Sequence, residues 1–561
     1  MLADQITVDH GPASEPSKNQ GHRPFLYVLI TFVGFRLMVL LLVKPGGYIG
    51  TVSDFEIYRL MASYASQGFY PSVDYWMEYP PLFPWVLVAI YRLSLLLPNW
   101  GDPGFWFNIL LPVPLLLSEV ANLTLIYLIG RRLYGQEIGT RIAWIYALLF
   151  VPLLVMLGRF DVLGLTFLLL ALYLTLVRRP LASGAVAGFG FLVKLWSVIV
   201  VPVAFWREPV WRRRGLLIAV TVLTIVVVAL PFVLLNPELF ASSWTINLKR
   251  GSWETIWALV DGYTGYGKPG GANRFDPAEA GADQHPSSLP WLLISAGFGL
   301  LYLWLWTRPI DWHDDRRAVA FTGLTMNLVF LYLKGYSPQY LAWLLPFVIL
   351  LLPGLRGIAY ALLLSVVNIV ESPIYFTVLP DQAWLLAGLV LARTGLLILL
   401  AVEYGRMALS EPIPVRWSRR LCLGAVAVVA IMGLAAIPFS YDAYYQNRLA
   451  ISSHRAAVEA LKNDALPGAR VIVGGDEASG AQQVFDDIYA FIQRQFDVTS
   501  VQTDWWYPDW EPRMARAVHG HDQTWLYAPV DSPLYTWLDA HYTLIAAHDW
   551  GEWQLSGWDT R

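Results

Sequence analysis

The chain has 561 residues, of which 56% are hydrophobic and only 14% charged, with a mean hydropathy of +0.48, whereas charged residues make up roughly a quarter of an ordinary soluble domain. That balance predicts a polytopic membrane protein. A net charge of −3 and a pI near 6.3 exclude the basic surface that nucleic-acid binding needs, and the single cysteine, Cys422, excludes a disulfide framework or a cysteine metal site.

In chain order, residues 1–23 are polar and mixed in charge and read as a disordered cytoplasmic tail. No small-residue cleavage site follows Pro24 to Val43, so this run is expected to be the first span rather than a signal sequence. Next comes an outer loop, residues 44–104, whose portion Thr51 to Pro84 concentrates Asp54, Glu56, Asp74 and Glu78 among many Tyr and Trp rings. Within it, Leu82 to Leu97 is apolar but bracketed by prolines and interrupted by Arg92, as expected of a helix near the interface.

Further spans are predicted at Phe105 to Gly130, Ile138 to Leu157, Val162 to Val177, Leu216 to Leu235, Trp291 to Trp306, Ala318 to Leu333, Tyr340 to Leu352, Ile358 to Val378, Trp384 to Val402 and Leu421 to Pro438. Two half-length segments between Leu181 and Trp206 meet at Lys194. Counting each half-length segment, there are about thirteen crossings. Residues 24–440 are thus expected to form an all-α transmembrane domain. In residues 441–561 charges return and short strand-like runs (Arg470 to Val473, Thr524 to Ala528, Tyr542 to Ala547) alternate with helix-like ones (Ala478 to Gln495, Pro512 to Val518, Pro533 to His541), which predicts a small soluble α/β domain.

Arginines fall in alternate connections: Arg131, Arg132 and Arg141; Arg178 and Arg179; Arg207 and Arg212 to Arg214; Arg308, Arg316 and Arg317; Arg356; and Arg406, Arg416, Arg419 and Arg420. By the positive-inside rule that face is cytoplasmic. The acidic loop, Asp161, Lys194, the loop Asn236 to Ser288, Lys334 and the C-terminal domain are then extracytoplasmic.

A sugar carried on a polyprenyl phosphate would suit such a surface, since its tail enters the bilayer and its phosphosugar stays at the boundary. Phosphate leaves without a proton donor, so the site needs one general base for the acceptor hydroxyl and cations for the departing phosphate. Asp54, the first acid after the first span, is the candidate base. Glu56 and Asp161 are the candidate second acids, although loop acids are commonly just solvated and Asp161 could pair with Arg159. For the phosphate the candidates are Lys194, at the break of a discontinuous hairpin, Lys334, which interrupts two spans, and Arg250, beside Lys249. Lys194 could instead snorkel to the interface, and Lys249 and Arg250 could be a solvated pair. Asp74, Glu78, Tyr79, Gln339 and Tyr340 are candidates for acceptor or sugar contacts, and Asn368 and Glu371, inside a span, are expected to face a cavity. No metal-ligand spacing or cofactor fingerprint occurs, and a divalent ion on Asp54 and Glu56 has no strong signal.

Taken together, an Asp shortly after the first span, Glu78-Tyr79-Pro80-Pro81-Leu82, Gly130-Arg131-Arg132-Leu133-Tyr134-Gly135, Phe160-Asp161, Gly190 to Trp196 with its Lys, and Ser337-Pro338-Gln339-Tyr340-Leu341 resemble the bacterial GT-C glycosyltransferases over Arg36 to Arg406. The nearest resemblance is to mannosyltransferases that use polyprenol-phosphate mannose. It implies a cell-membrane enzyme that passes a sugar from a polyprenyl-phosphate donor to a glycan, lipid or protein acceptor with inversion. Asp54 would be the base, and Lys194, with Lys334, would hold the phosphate. A lipid or solute transporter is the alternative from another class; broken helices suit it, but the absence of inverted halves does not.

Overall fold

The structure, a computed structural model, describes residues 22–42, 54–98, 104–267, 273–282, 285, 287, 289–379, 382–409, 452–476, 479–481, 484–485, 492, 496–504 and 509–561. The tail before residue 22, the start of the acidic loop, the span expected at Leu421 to Pro438 and most of the helix expected at Ala478 to Gln495 lie outside the described residues. The chain divides into two compact units, residues 1–436 and 437–561.

The first unit is helical. Helices α1 (Arg23–Leu42), α2 (Phe55–Ser63), α3 (Leu82–Ser94), α4 (Phe105–Leu110), α5 (Pro112–Tyr134), α6 (Gln136–Leu148), α7 (Phe150–Gly158), α8 (Asp161–Leu176) and α9 (Pro180–Phe191) lead to a 3₁₀ turn at Leu195–Val200. They are followed by α10 (Val201–Arg207), α11 (Trp211–Leu235), α12 (Pro237–Lys249), α13 (Ile256–Asp261), α14 (Trp291–Trp306), α15 (Asp315–Tyr332), α16 (Leu341–Leu351), α17 (Leu355–Ile369) and α18 (Ala383–Ala408).

Among the described residues five helical stretches are long and apolar enough to cross a membrane unaided, or six if the bent pair α6 and α7 counts as one span. Shorter apolar helices such as α8, α9 and α14 make up the rest of the bundle. The expected span at Ile138 to Leu157 is therefore not straight: it bends by 53° at Leu149, which is extended and followed by Pro152 in the first turn of α7. The expected span at Ile358 to Val378 is also interrupted. Beyond α17 the chain winds in wider π-type turns over Val370–Val378, with Ser372, the residue before Pro373, in an extended conformation.

Beyond Arg214 helix α11 carries no charge, and Leu223, Val227 and Leu234 on it are exposed in the protein, as expected where hydrocarbon is the solvent. Against α9 it packs backbone to backbone. A Cβ on Gly184 would meet Leu217 and Thr221 at 2.7 Å, and one on Gly188 would meet the Thr221 carbonyl at 2.6 Å. This small-residue stripe permits the close approach that replaces hydrophobic driving force inside a bilayer. Within the same unit, Arg36 and Glu119 form a fully buried ion pair at 3.2 Å, to which Tyr146 adds a hydrogen bond of 2.8 Å on Glu119.

The second unit is an α/β domain. Strands β1 (Arg470–Gly475), β2 (Asp497–Gln502), β3 (Gln523–Pro529), β4 (Thr543–Asp549) and β5 (Trp553–Asp559) form one sheet in the order β2-β1-β3-β5-β4. The β1 pairings with β2 and β3 are parallel, and β5 pairs antiparallel with β3 and β4. Helices α19 (Ser452–Asp464), α20 (Trp510–Val518) and α21 (Pro533–His541) accompany it. Ala457, Leu461 and Trp525 belong to one buried cluster and Met514, Leu526 and Leu538 to another. Sequence patterning passes over β2, whose Asp, Thr, Ser and Gln leave only two valines, and β5, whose polar residues interrupt the buried Leu555 and Trp558; pairing with β1 and β3 completes both strands.

Candidate active site

The acidic loop is held by backbone bonds to elements distant in sequence. Asp54 precedes α2, and its amide donates to the Gly158 carbonyl at 3.1 Å, at the end of α7. The Leu82 amide donates to the Leu192 carbonyl at 3.2 Å, seating the start of α3 on the break between α9 and the 3₁₀ turn. The Trp76 amide donates to the Arg274 carbonyl at 2.9 Å, and the Trp76 indole to the Asp276 carbonyl at 3.0 Å. Aromatic faces fill the space between. Phe83 stacks on Phe160 with centroids 3.8 Å apart, and Tyr79 meets Phe160 edge-on at 4.9 Å.

Two ion pairs flank Phe160. Arg159 Nε lies 3.0 Å from Asp54 Oδ2, which also accepts from the Tyr58 hydroxyl at 3.2 Å. On the other side, Lys194 Nζ donates to Asp161 Oδ1 at 2.5 Å, and Trp343 Nε1 donates to the same oxygen at 2.7 Å. The alternative in which Asp161 pairs with Arg159 is thereby corrected. Asp161 opens α8 while Arg159 is still extended, so the two side chains leave the backbone in different directions. Gly164, one turn into α8, makes room for this arrangement: a Cβ there would meet Trp343 at 2.7 Å and the Lys194 Cβ at 3.1 Å.

Lys194 is an extended residue between two helical segments, and its ammonium also lies over the rings of Phe160 at 4.7 Å and Tyr340 at 5.2 Å. Snorkelling does not describe it. The carboxylate of Asp161 is buried, whereas that of Asp54 keeps 23% of its surface exposed. Burial raises the proton affinity of Asp54 above that of an ordinary aspartate. The nearby charge of Arg159 opposes this, and those of Glu78 and Asp161 reinforce it.

Glu78 accepts from Arg274 at 2.7 Å. Its burial raises its pKa, but Arg274 and, more weakly, Arg250 outweigh that and hold the carboxyl below the usual glutamate range. Arg250 lies 4.0 Å over the Trp253 ring and donates to the Gly267 carbonyl, so it is packed rather than one of a solvated pair with Lys249. Lys334 Nζ donates to the Leu248 carbonyl at 2.9 Å and sits 5.2 Å from the Trp291 ring. Tyr340 stacks on Phe330 at 5.4 Å, and Gln339 lies half-buried in the same 3₁₀ turn.

Other candidates stand apart. Glu56 is exposed on α2, away from the buried Phe55 and Tyr58. The Asp74 carboxylate accepts from the Tyr70 amide at 2.7 Å and so closes its own turn. Glu371 is fully buried and takes a hydrogen bond from Arg393, and Asn368 is buried beside it in sequence. Among the described residues no group of three His, Cys, Asp or Glu side chains could hold a metal ion. Sequence reasoning weighed Arg159 only as a partner of Asp161 and passed over Arg274 and Arg393. Only Arg393 carried a usable signal, a guanidinium inside an otherwise apolar span; the Glu78–Arg274 contact joins residues too far apart in sequence to be read from spacing.

A carboxylate and cations thus gather around one aromatic loop of a helical bundle. Residues 76–333 match the model of Glycosyltransferase family 87. Similar solved structures include ArnT from Cupriavidus metallidurans bound to undecaprenyl phosphate (13% identity, TM-score 0.40, covering 95% of this chain and 98% of that one). Its apo state is similar at 15% identity and the same TM-score and coverage. The Archaeoglobus fulgidus oligosaccharyltransferase in its apo form aligns at 11% identity with a TM-score of 0.35, over 70% of this chain and 57% of that one. No curated protein matches the chain.

Proposed function

We propose that the protein transfers a sugar, mannose or another hexose or pentose, from a polyprenyl-phosphate donor to a glycan, lipid or protein acceptor of the cell envelope, inverting the anomeric carbon. The observation that carries the reading is the partly exposed Asp54 carboxylate, paired with Arg159 on one side of Phe160 while Lys194 is held by Asp161 on the other. A raised affinity improves a general base as long as it stays ionised at working pH.

In this reading Asp54 takes the proton of the acceptor hydroxyl as that oxygen bonds to the anomeric carbon. The bond from that carbon to the phosphate oxygen breaks on the opposite side, and its electron pair leaves with polyprenyl phosphate. Lys194 offers its remaining N–H groups to the departing oxygens while Asp161 and Trp343 fix its position, and Arg250 and Lys334 supply further positive charge. Tyr79 and Tyr340 present ring faces suited to a sugar, and Glu78 and Gln339 present acceptors for its hydroxyls. Asp54 returns its proton to water. In this reading the reaction takes place at the extracytoplasmic face of the cell membrane, the side to which the arginine asymmetry of the sequence also assigns residues 441–561.

Purified protein incubated with polyprenyl-phosphate mannose and a lipid extract of cell envelope should deplete the lipid-linked sugar by mass spectrometry and yield free polyprenyl phosphate. Persistence of every polyprenyl-phosphate sugar tried would refute the donor class.

A further inference from the structure

Arg393 lies well inside α18, where a charge is costly unless it is fully engaged. One terminal nitrogen of its guanidinium donates to Glu371 Oε2, on the broken turn after α17. The other donates to the backbone carbonyl of Glu254. The guanidinium carbon sits 3.9 Å from the centroid of the Tyr336 ring. All four residues are buried. Glu254 adopts the left-handed backbone region at φ 52°, an uncommon conformation for a residue with a side chain, and its carbonyl is the one that Arg393 takes.

Glu254 and Tyr336 belong to two non-helical segments that run side by side within the bundle. The Trp253 amide donates to the Lys334 carbonyl at 3.2 Å, the Tyr336 amide to the Trp253 carbonyl at 3.1 Å, and the Thr255 hydroxyl to the Lys334 carbonyl at 2.8 Å. A side chain at Gly335 would collide with the Trp253 ring, so the pairing is close. Arg250 opens the first segment. Lys334 begins the second, with Gln339 and Tyr340 further along. Irregular backbone in a membrane protein persists only where protein satisfies its polar groups, and Arg393 does so for one segment while giving the other a platform.

An ion pair buried this deeply adds little stability over apolar packing of the same shape. Its geometry does something packing cannot: a planar fork bonds two partners at fixed angles while stacking on a third. We propose that Arg393 is a positioning residue for the donor phosphate, holding segments 250–255 and 334–340 in the register that brings Arg250 and Lys334 to one anion. This rests on the donor-phosphate reading of Arg250 and Lys334 given above.

The test uses the full chain in nanodiscs, with sugar-free undecaprenyl phosphate as the binding probe and polyprenyl-phosphate mannose for turnover. Arg393→Met combined with Glu371→Gln removes the buried ion pair as a unit, so the fold should tolerate it better than Arg393→Met alone, which would strand the Glu371 carboxylate beside that of the buried Glu254. We expect the double variant to bind the probe at least about tenfold more weakly and to raise the donor KM, because losing one charge-assisted hydrogen bond to the phosphate is worth about that factor. The acid limb of its pH profile should stay in place, since Asp54 is untouched. Arg393→Lys, which keeps the charge but not the fork, should show the same defect in smaller measure. Wild-type probe affinity in the folded double variant, or in Arg393→Lys if the double variant does not fold, would overturn the inference. Failure of the wild-type protein to bind the probe would instead remove the donor reading on which it rests.

Discussion

Arg159 reaches back from the end of α7 to Asp54, Nε to Oδ2 at 3.0 Å, and so leaves Asp161 to Lys194. The residues on either side of Phe160 thus serve two different jobs. One pair sets the ionisation of an accessible carboxylate; the other anchors an ammonium with a buried one. This division separates the proposed base from the proposed phosphate site, and each can be perturbed without removing the other.

Asp54→Asn keeps the shape and hydrogen-bonding capacity of the side chain but removes the proton acceptor. Transfer is expected to fall by ~10² to 10⁴, the usual worth of a placed base, while undecaprenyl phosphate binding persists. Radiolabelled sugar transfer and probe binding on the same preparation measure both, and near-normal transfer would return the role to Glu56 or Asp161.

The pH profile follows from the direction of the Asp54 shift. Burial raises its pKa, and a base acts only when deprotonated, so kcat/KM should rise with pH through a value above that of an ordinary aspartate, ~3.9. Arg159 opposes the shift. Arg159→Gln should therefore move the acid limb to still higher pH, and an acid limb that stays put or moves down would contradict the pairing.

Lys194→Ala should weaken binding of undecaprenyl phosphate by about tenfold or more and should also destabilise the fold, because Asp161, 1% exposed, then loses its counter-ion. Breaking a buried pair from one side costs roughly 3–5 kcal/mol. Adding Asp161→Asn to Lys194→Ala should restore most of the melting temperature but not the binding. Recovery of both would make Lys194 a structural residue only.

Glu78 should make stability depend on acid. Its folded pKa lies below the ordinary value because Arg274 holds the ionised form. Its contribution is therefore complete above roughly pH 4.5 and lost as pH falls through the folded value. Melting temperatures taken between neutral and strongly acidic pH should show a shallower acid decline in Glu78→Gln than in the wild type, from a lower starting point.

Reporter fusions test the arginine asymmetry. A fusion at Arg561 should report the extracytoplasmic side and one after Gly215 the cytoplasmic side. A cytoplasmic signal at Arg561 would move the proposed site to the other face.

The sequence by itself determined the class of molecule and its main helices, because membrane-length apolar runs and their arginine-rich connections follow from the cost of exposing backbone and charge to hydrocarbon. It also located the hairpin break at Lys194 and the acidic loop, since both are local interruptions of an apolar pattern. What only the tertiary structure decided is which charge meets which. Arg159 beside Asp161 in the chain pairs with Asp54 instead, Arg274 reaches Glu78 across 196 residues of sequence, and Arg393 joins two loops to a broken helix. Such pairings depend on where backbone bends aim side chains and on close approaches at residues such as Gly164 and Gly335, and a one-dimensional pattern of hydrophobicity carries no record of either.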